Sequence, residues 1–413
     1  MDFNDTPEEA AFRQEARSWL EANAEPLAPG KRRAAPTAVE ARKGLLERAR
    51  AWQAKKADAG WACITWPKEY GGRGASSIQN VIWNQEEAKF DVPPNLFSIG
   101  QGMLAPTIMA HGTPAQKERY LEKILRADEI WCQLFSEPAA GSDLAGLRTT
   151  AVKDGDEWVV NGQKIWTSGA HYSDRGMMVT RTDPSAKKHA GITYFIVDMD
   201  SPGIEIRPIR QINGSSDFNE VFFSDVRIPD ENRVGAVNDG WRGAITTLMN
   251  ERATIGSAGG FGAGIGDLLK LARETEWNGR PAIEDPAVRQ RLADFYVKLK
   301  GLEYTGYRAL TALSRGTTPG PENSIGKMVG AVLRQEMSAF ALELEGAAGV
   351  MVDAGVSPLE GVWQFSYLSS PGIRLAGGTD EILHNIVAER VLGLPGEPRI
   401  DKDLAFQEIP SGR

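Results

Sequence analysis

The chain has 413 residues, 41% hydrophobic and 25% charged, which is the composition of a globular protein and more length than one ordinary core needs, so two or three domains are expected. A net charge of -8 argues against a nucleic-acid binder, which shows a basic face, but leaves room for a local basic pocket around an anionic ligand. The two cysteines (Cys63, Cys132) and four scattered histidines (His111, His171, His189, His384) give neither a disulfide framework nor a metal-ligand spacing, so no metal is expected.

The acidic start, Met1-Asp2-Phe3-Asn4-Asp5, lacks an apolar signal core, and no stretch approaches the roughly 20 apolar residues that span a bilayer. A soluble cytoplasmic protein with no membrane span is the expectation. Residues 1–130 read as helical. Thr6-Pro7-Glu8-Glu9 is a helix start with Thr6 as N-cap, Pro7 in the first turn and Glu9 closing a capping box, and Phe12, Ala16, Trp19 and Leu20 follow at helical spacing. Ala38 to Lys56 is a second charged amphipathic segment. Pro67 and Gly71-Gly72 break the pattern, and helices are expected again at Ile78 to Lys89 and, after the cap Thr113, at Pro114 to Leu125.

Residues 131–238 change texture. Short strand-like runs such as Trp158-Val159-Val160, Met177 to Thr180, Ile192 to Val197 and Val221-Phe222-Phe223 alternate with the turn signals Asp154-Gly155-Asp156, Asn161-Gly162, Ser201-Pro202-Gly203 and Asn213-Gly214. Many short strands without intervening helices predict an all-β barrel or sandwich. Residues 239–413 return to the helical period, with helices expected over Gly240 to Leu271, Pro286 to Ser314, Ser324 to Val352 and Thr379 to Leu392. The order helices, β block, helices predicts an α+β multidomain chain: an N-terminal helical domain, a central β-barrel or sandwich, and a C-terminal helical bundle.

Four strings carry chemistry: Trp66-Pro67-Lys68-Glu69-Tyr70-Gly71-Gly72, Ser136-Glu137-Pro138-Ala139-Ala140-Gly141-Ser142-Asp143, Asn161-Gly162-Gln163-Lys164-Ile165-Trp166-Thr167-Ser168 and Gly377-Gly378-Thr379-Asp380-Glu381-Ile382. In this order and on these element types they resemble the acyl-CoA dehydrogenase family along nearly the whole chain. The resemblance implies that family's fold, with a four-helix bundle as its C-terminal domain. It also implies bound FAD, an acyl-CoA substrate in lipid β-oxidation, an electron-transfer flavoprotein as acceptor, and a homodimer or homotetramer.

The residues can be weighed one string at a time. Small residues in the Ser136 to Asp143 loop let backbone N–H groups approach an electron-rich group; the bland alternative is a Gly/Ser turn with a solvated Asp143. The resemblance implies that residues 133 to 142, including Gln133, Phe135, Ser136, Gly141 and Ser142, line the flavin and that Ser142 also touches substrate. An indole followed by a hydroxyl on a strand, Trp166-Thr167, supplies a flat apolar partner and a hydrogen-bond donor for a flavin ring; the alternative is a core Trp with an exposed Thr beside it. Flavin contact is implied for Trp166, Thr167 and Ser168. Thr379 is a natural helix cap that can also face an anion, and FAD contact is implied for Thr379 and Glu381. Arg273 matches a family arginine that reaches a neighbouring subunit's FAD. Glu345-Gly346-Ala347-Ala348-Gly349 stands where the family has another FAD-contacting segment, in a departed form.

The base is the sharpest question. Removing the weakly acidic α proton of a thioester requires a positioned base and stabilisation of charge on the carbonyl oxygen. Many family members carry the base as a Glu just before the C-terminal Gly-Thr; here that position is Gly377. A subgroup that includes isovaleryl- and long-chain acyl-CoA dehydrogenases carries it on an earlier helix before an Arg, and Leu248-Met249-Asn250-Glu251-Arg252 matches that frame. Glu251 is therefore the expected base, on a helix of small and apolar residues where lost solvation should raise its pKa. A structural Glu251–Arg252 pair or an exposed helix face is the alternative. Met249, Asn250, Arg252, Gly377 and Gly378 are assigned to the substrate, with the Gly377 N–H as a donor to the thioester oxygen. The small residues Gly256, Ala258, Gly259 and Gly260 hint at room for a branched, long or steroid-like acyl group. Gly259 to Gly266 lacks the GxGxxG register, and Ser185-Ala186-Lys187-Lys188, with the SxxK spacing of some hydrolases, reads as a solvated polar loop. Two further readings stay open: an oxidase that passes electrons to oxygen, and a flavin-binding subunit of a mixed oligomer that supplies no base.

Overall fold

The computed structural model describes residues 5–28, 39–257, 263–314, 320–353, 355–398, 401 and 403–410. Two compact units emerge: Met1–Arg210, Gly214–Glu251 and Arg399–Arg413 form the first, and Gln211–Asn213 with Arg252–Pro398 the second.

The first unit opens with helices. In α1 (Pro7–Asn23) the capping box is present, with Thr6 Oγ1 accepting from Glu9 N–H at 3.2 Å and Glu9 Oε2 accepting from Thr6 N–H at 2.7 Å. Its buried stripe is Phe12, Ala16 and Leu20, one residue per turn. Then come α2 (Val39–Asp58), α3 (Ser77–Glu87), α4 (Ala105–His111) and α5 (Pro114–Arg126), with Ser76 and Thr113 capping α3 and α5. The chain enters α4 through a π-helical turn at Gly100–Leu104, which the glycines at 100 and 102 and Pro106 hide from a reading by propensity.

The β block comprises β1 (Trp131–Leu134), β2 (Thr150–Asp154), β3 (Glu157–Ser168), β4 (Arg175–Arg181), β5 (Ile192–Asp198), β6 (Ile204–Pro208), β7 (Phe218–Pro229) and β8 (Arg233–Val234). The order is β6-β7-β3-β2-β4-β5-β8, with β1 alongside β4. β2 and β4 meet at a single pair, Thr150 and Arg181, so the path divides into two layers there. Trp158, Val160, Val221 and Phe223 from one layer share a core with Leu134, Met178, Phe195 and Val197 from the other, which is a sandwich. Inward–outward alternation holds in β3 as far as Lys164 but is absent from β4 and β5. Met177, Val179, Tyr194 and Ile196 are buried on the opposite face among Leu104, Ile108, Leu121 and Ala244, so these two strands are covered on both sides.

Helix α6 (Gly240–Ser257) starts in the first unit. The single helix expected over Gly240 to Leu271 is two, because Gly264 is extended and caps α7 (Ile265–Glu274) by donating from its N–H to Asp267 at 2.8 Å. The second unit continues with a hairpin, β9 (Glu276–Trp277) and β10 (Arg280–Pro281), turning on Asn278-Gly279 with φ of 53° and 79°. Helices α8 (Pro286–Ser314), α9 (Ser324–Glu345), α10 (Val362–Leu375) and α11 (Asp380–Arg390) complete it. Central α9 packs against α7, α8, α10 and α11, burying Leu333, Met337, Phe340 and Leu344 with Leu268, Phe295 and Trp363. α9 stops at Glu345 and gives way to a 3-10 turn at Gly346–Val350, short of the expected Val352. α10 escaped the sequence reading because Pro371 and Gly372 lie inside it.

One electrostatic feature of the helical layer is testable. Glu86 is fully buried and accepts from Arg13, Arg17 and Lys89 at 2.8–3.3 Å. Burial alone would raise its pKa, but bonds from Arg17, Lys89 and Arg13 pull it down to about 2. A carboxyl lowered on folding contributes stability that is complete above its unfolded pKa of about 4.3 and lost as pH falls towards the folded value. Acid titration of unfolding from pH 5 to about 2 should therefore show a steeper loss of stability in the wild type than in Glu86→Gln, read by circular dichroism.

Candidate functional site

In the first unit, the loop expected at the flavin and the strand expected beside it are fastened to one another. Glu137 is buried and accepts from Lys164 Nζ at 2.8 Å, Arg148 N–H at 2.6 Å and Thr149 N–H at 3.0 Å. Lys164, fully buried on β3, also donates to the Phe135 carbonyl at 3.0 Å, while Ile165 N–H donates to the Ser136 carbonyl at 2.9 Å. Reciprocal backbone bonds between Glu137 and Ala140 close the loop. Burial opposes the charge on Glu137, but the Lys164 ammonium and the converging donors hold its pKa below the ordinary value. Burial pushes Lys164 down, against the pull of Glu137.

Beyond the fastening, the loop opens out. Gly141 and Ser142 are exposed, and a Cβ added at Gly141 would meet nothing within 4 Å. Trp166 stands at a bulge where the β3–β7 register shifts between Lys164 and Thr167, and its φ is +59°, a costly conformation for a large side chain. The bulge turns its indole outward, 56% exposed, with one edge against the Phe218 ring, and leaves Thr167 inside. The alternative of a core Trp beside an exposed Thr is therefore inverted. Thr167 Oγ1 is buried without a hydrogen-bond partner among the described residues, a cost that an external acceptor or donor would remove.

Helix α6 is held against the sandwich by its small and hydroxyl residues. A Cβ on Gly240 would lie 2.6 Å from the Thr193 backbone, and one on Gly243 2.6 Å from the Tyr194 ring. Thr247 Oγ1 lies 2.7 Å from Thr107 Oγ1 and 3.0 Å from the Tyr194 hydroxyl, and the Tyr194 ring meets Phe135 edge-on at 5.7 Å. Glu251 is one turn further along the same face as Thr247, half-buried, with Gln133 Nε2 donating to its Oε2 at 3.4 Å. Gln133, assigned to the flavin, is thus brought to the expected base. Asn250 Nδ2 donates to the Thr246 carbonyl at 2.9 Å, and Met249 is exposed, roughly 200° round the helix from Glu251. The side chain of Arg252, the surroundings of Gly256, and the whole of Ala258, Gly259 and Gly260 lie outside what the structure describes.

In the second unit, Gly377 and Gly378 adopt φ of +65° and +99° between α10 and α11. Thr379 caps α11, its hydroxyl accepting from Ile382 N–H at 3.3 Å, and Asp380 accepts from Arg374 Nε at 2.6 Å. Glu381 is exposed and Arg273 is exposed in the last turn of α7. Glu345 is buried, accepts from Gln364 Nε2 at 2.6 Å, and is pushed up to about 7 by burial.

Two features escaped the sequence reading. Lys164 lies at an inward position of β3, in register with Trp158 and Val160, and a lysine in that register signals a buried counter-charge. Lys188 is not solvated as expected: it is buried and pairs with Asp143 at 2.8 Å and with Asp401. Ser185 and Lys187 are exposed, and Asp183 accepts from Ser185 in a local turn, which leaves the SxxK spacing without catalytic geometry.

Family models match the chain along most of its length. The N-terminal, middle and C-terminal domains of acyl-CoA dehydrogenase match residues 6–128, 132–226 and 238–392. Acyl-CoA dehydrogenase IpdE1 of Mycobacterium tuberculosis is 39% identical over 397 residues, covering 94% of this chain and 98% of its own. Among solved structures, a steroid ACAD described as Tcur3481-Tcur3483 aligns with a TM-score of 0.79 at 31% identity, over 96% of this chain and 100% of the other. The ChsE4-ChsE5 complex from Mycobacterium tuberculosis aligns with a TM-score of 0.77, also at 31% identity and with the same coverage. The chain belongs to the acyl-CoA dehydrogenase family, FAD-dependent enzymes that dehydrogenate acyl-CoA thioesters.

Proposed function

We propose that this protein oxidises an acyl-CoA to its trans-2-enoyl-CoA with Glu251 as the α-proton acceptor. The observation that carries the reading is the half-buried Glu251 carboxylate, hydrogen-bonded by Gln133 from the strand that leads into the Ser136–Asp143 loop. FAD, when bound, supplies the acceptor for the β hydride. The residues present fit it: an outward indole at Trp166, an orphaned hydroxyl at Thr167 and open space at Gly141. Phe135, Ser136, Ser142 and Ser168 belong with these, and in the second unit Thr379, Glu381 and Arg273 are assigned to FAD as well, Arg273 towards a neighbouring subunit's. Glu251 takes the proton, a contribution of roughly 10²–10⁴ in rate. The Gly377 N–H donates to the thioester oxygen, where one such donor is worth on the order of 10²–10³. Gly378, Met249, Asn250 and Arg252 are assigned to substrate, as is Ser142.

The acyl group we assign is a steroid-derived side chain, supported by likeness to a protein described as a steroid ACAD. The proposed setting is cytoplasmic lipid catabolism with an electron-transfer flavoprotein as acceptor; among the described residues no helix is long and apolar enough to cross a membrane. The functional protein is an oligomer. Two similar structures carry paired names, which favours a second reading of that oligomer as one built with a different chain rather than as a homodimer or homotetramer. Mass measurement of the chain expressed alone decides between them.

Three outcomes test the site. Anaerobic mixing of the flavin-loaded protein with a panel of acyl-CoAs should bleach the flavin with steroid side-chain thioesters, and Glu251→Gln should bind flavin normally but bleach about 10²–10⁴ times more slowly. Unchanged bleaching by Glu251→Gln removes Glu251 as the base. Thr167→Val should leave the flavin-free protein as stable as wild type or more so, because it deletes an unpaired buried hydroxyl, while flavin affinity in fluorescence titration falls by about tenfold. Lys164→Met leaves Glu137 buried without its counter-charge and should cost about 3–5 kcal/mol in urea unfolding. Adding Glu137→Gln should cost less than the sum of the single changes.

A further inference from the structure

A Gly-Gly pair has no side chains to fix its conformation, so a turn built on one keeps a defined shape only if something outside it supplies the constraint. At Gly377-Gly378 the constraint comes from α9. Lys327, with its side chain 11% exposed, donates from Nζ to the carbonyl of Arg374 at 2.9 Å and to the carbonyl of Gly378 at 2.6 Å, and reaches Asp380 Oδ1 at 3.5 Å. An ammonium has three protons, and each has an acceptor here. One acceptor is in the last turn of α10, where carbonyls lack helical partners, one is in the turn itself, and one is at the start of α11. Arg374 closes the arrangement, its Nε on Asp380 Oδ2 at 2.6 Å and its Nη1 on Gln335 of α9 at 3.3 Å. The N–H groups of Gly377 and Gly378 make no hydrogen bond among the described residues. Consecutive backbone amides at positive φ, free of internal partners, are a concavity suited to an electron-rich oxygen.

We propose that Lys327 is a positioning residue of the dehydrogenation, holding the Gly377–Gly378 turn in the conformation that keeps the Gly377 N–H available to the thioester oxygen. This rests on the reading of Gly377 given above. Lys327 touches neither substrate nor FAD in this role; it acts through the carbonyls and the carboxylate that bracket the turn. An apolar side chain of similar length, such as Met, fills the space but offers no donors, and a guanidinium offers donors in a planar fork that cannot converge on the same three acceptors. Misplacing a catalytic group by about 1 Å costs on the order of 10² in rate, so loosening the turn is expected to act on kcat more than on KM.

The test uses the flavin-loaded protein, in its native oligomer, and a steroid side-chain 2-enoyl-CoA isotope-labelled at the thioester carbonyl. Isotope-edited infrared difference spectra report the carbonyl stretch of the bound ligand. In the wild type it should fall below the value for free ligand. In Lys327→Met it should return most of the way to the free value, with kcat down about tenfold to a hundredfold and KM within a few-fold, and Lys327→Arg should lie between the two. If Lys327→Met lowers the melting temperature but keeps the wild-type carbonyl stretch and kcat, Lys327 is a structural brace only and the proposal falls. If Lys327→Met does not fold, Lys327→Arg carries the test, and a wild-type stretch and kcat there overturn the proposal. A wild type whose bound ligand shows no lowering instead removes Gly377 as the donor, a separate failure that leaves Glu251 as base untouched.

Discussion

The pair formed by Glu137 and Lys164 sets the position of nearly everything assigned to the flavin in the first unit. Two opposite charges taken out of water are expensive, and each is stable here only because the other is present and because backbone groups complete the coordination. Lys164 reaches both Glu137 and the Phe135 carbonyl, and Glu137 draws in the N–H groups of Arg148 and Thr149. One ion pair thereby joins the Ser136–Asp143 loop, the start of β2 and the middle of β3. Buried hydrogen-bonded charges have narrow geometric tolerance, so a loop of small residues that would otherwise sample many shapes is held in one. The bulge that turns Trp166 outward and Thr167 inward follows directly after Lys164 on the same strand.

Glu251, the proposed base, is positioned by a different kind of force. Helix α6 approaches β5 closely because Gly240 and Gly243 offer no Cβ, and Thr247 then links it by hydroxyl contacts to α4 and to Tyr194. Glu251 follows one turn later on the same face. Its orientation is therefore inherited from packing two turns upstream, and Gln133 adds a polar contact from β1. In the second unit the equivalent task falls to ionic and polar contacts around a flexible turn, where Lys327, Arg374 and Asp380 substitute for the packing that glycine cannot provide.

Sequence alone determined the order of helical, β and helical regions, the capped helices α1 and α5, the family, and Glu251 as the carboxylate to examine once Gly377 left the usual position empty of one. Those conclusions rest on local signals: caps and turns are written in adjacent residues, hydrophobic period reports which face is covered, and a motif keeps its spacing. Where local signals conflict with tertiary packing, the reading fell short. Pro371 and Gly372 concealed α10, which exists because one face packs on α9. β4 and β5 lost their alternation because helices cover their second face. Only the tertiary structure decided that Lys164 and Lys188 are buried and paired, that Trp166 faces outward while Thr167 is buried, and that Lys327 braces a turn some fifty residues away. The physical reason is common to all of these. A charge or hydroxyl has no preference for burial by itself; its place is fixed by the partner it meets, and partners distant in sequence are brought together only by the fold.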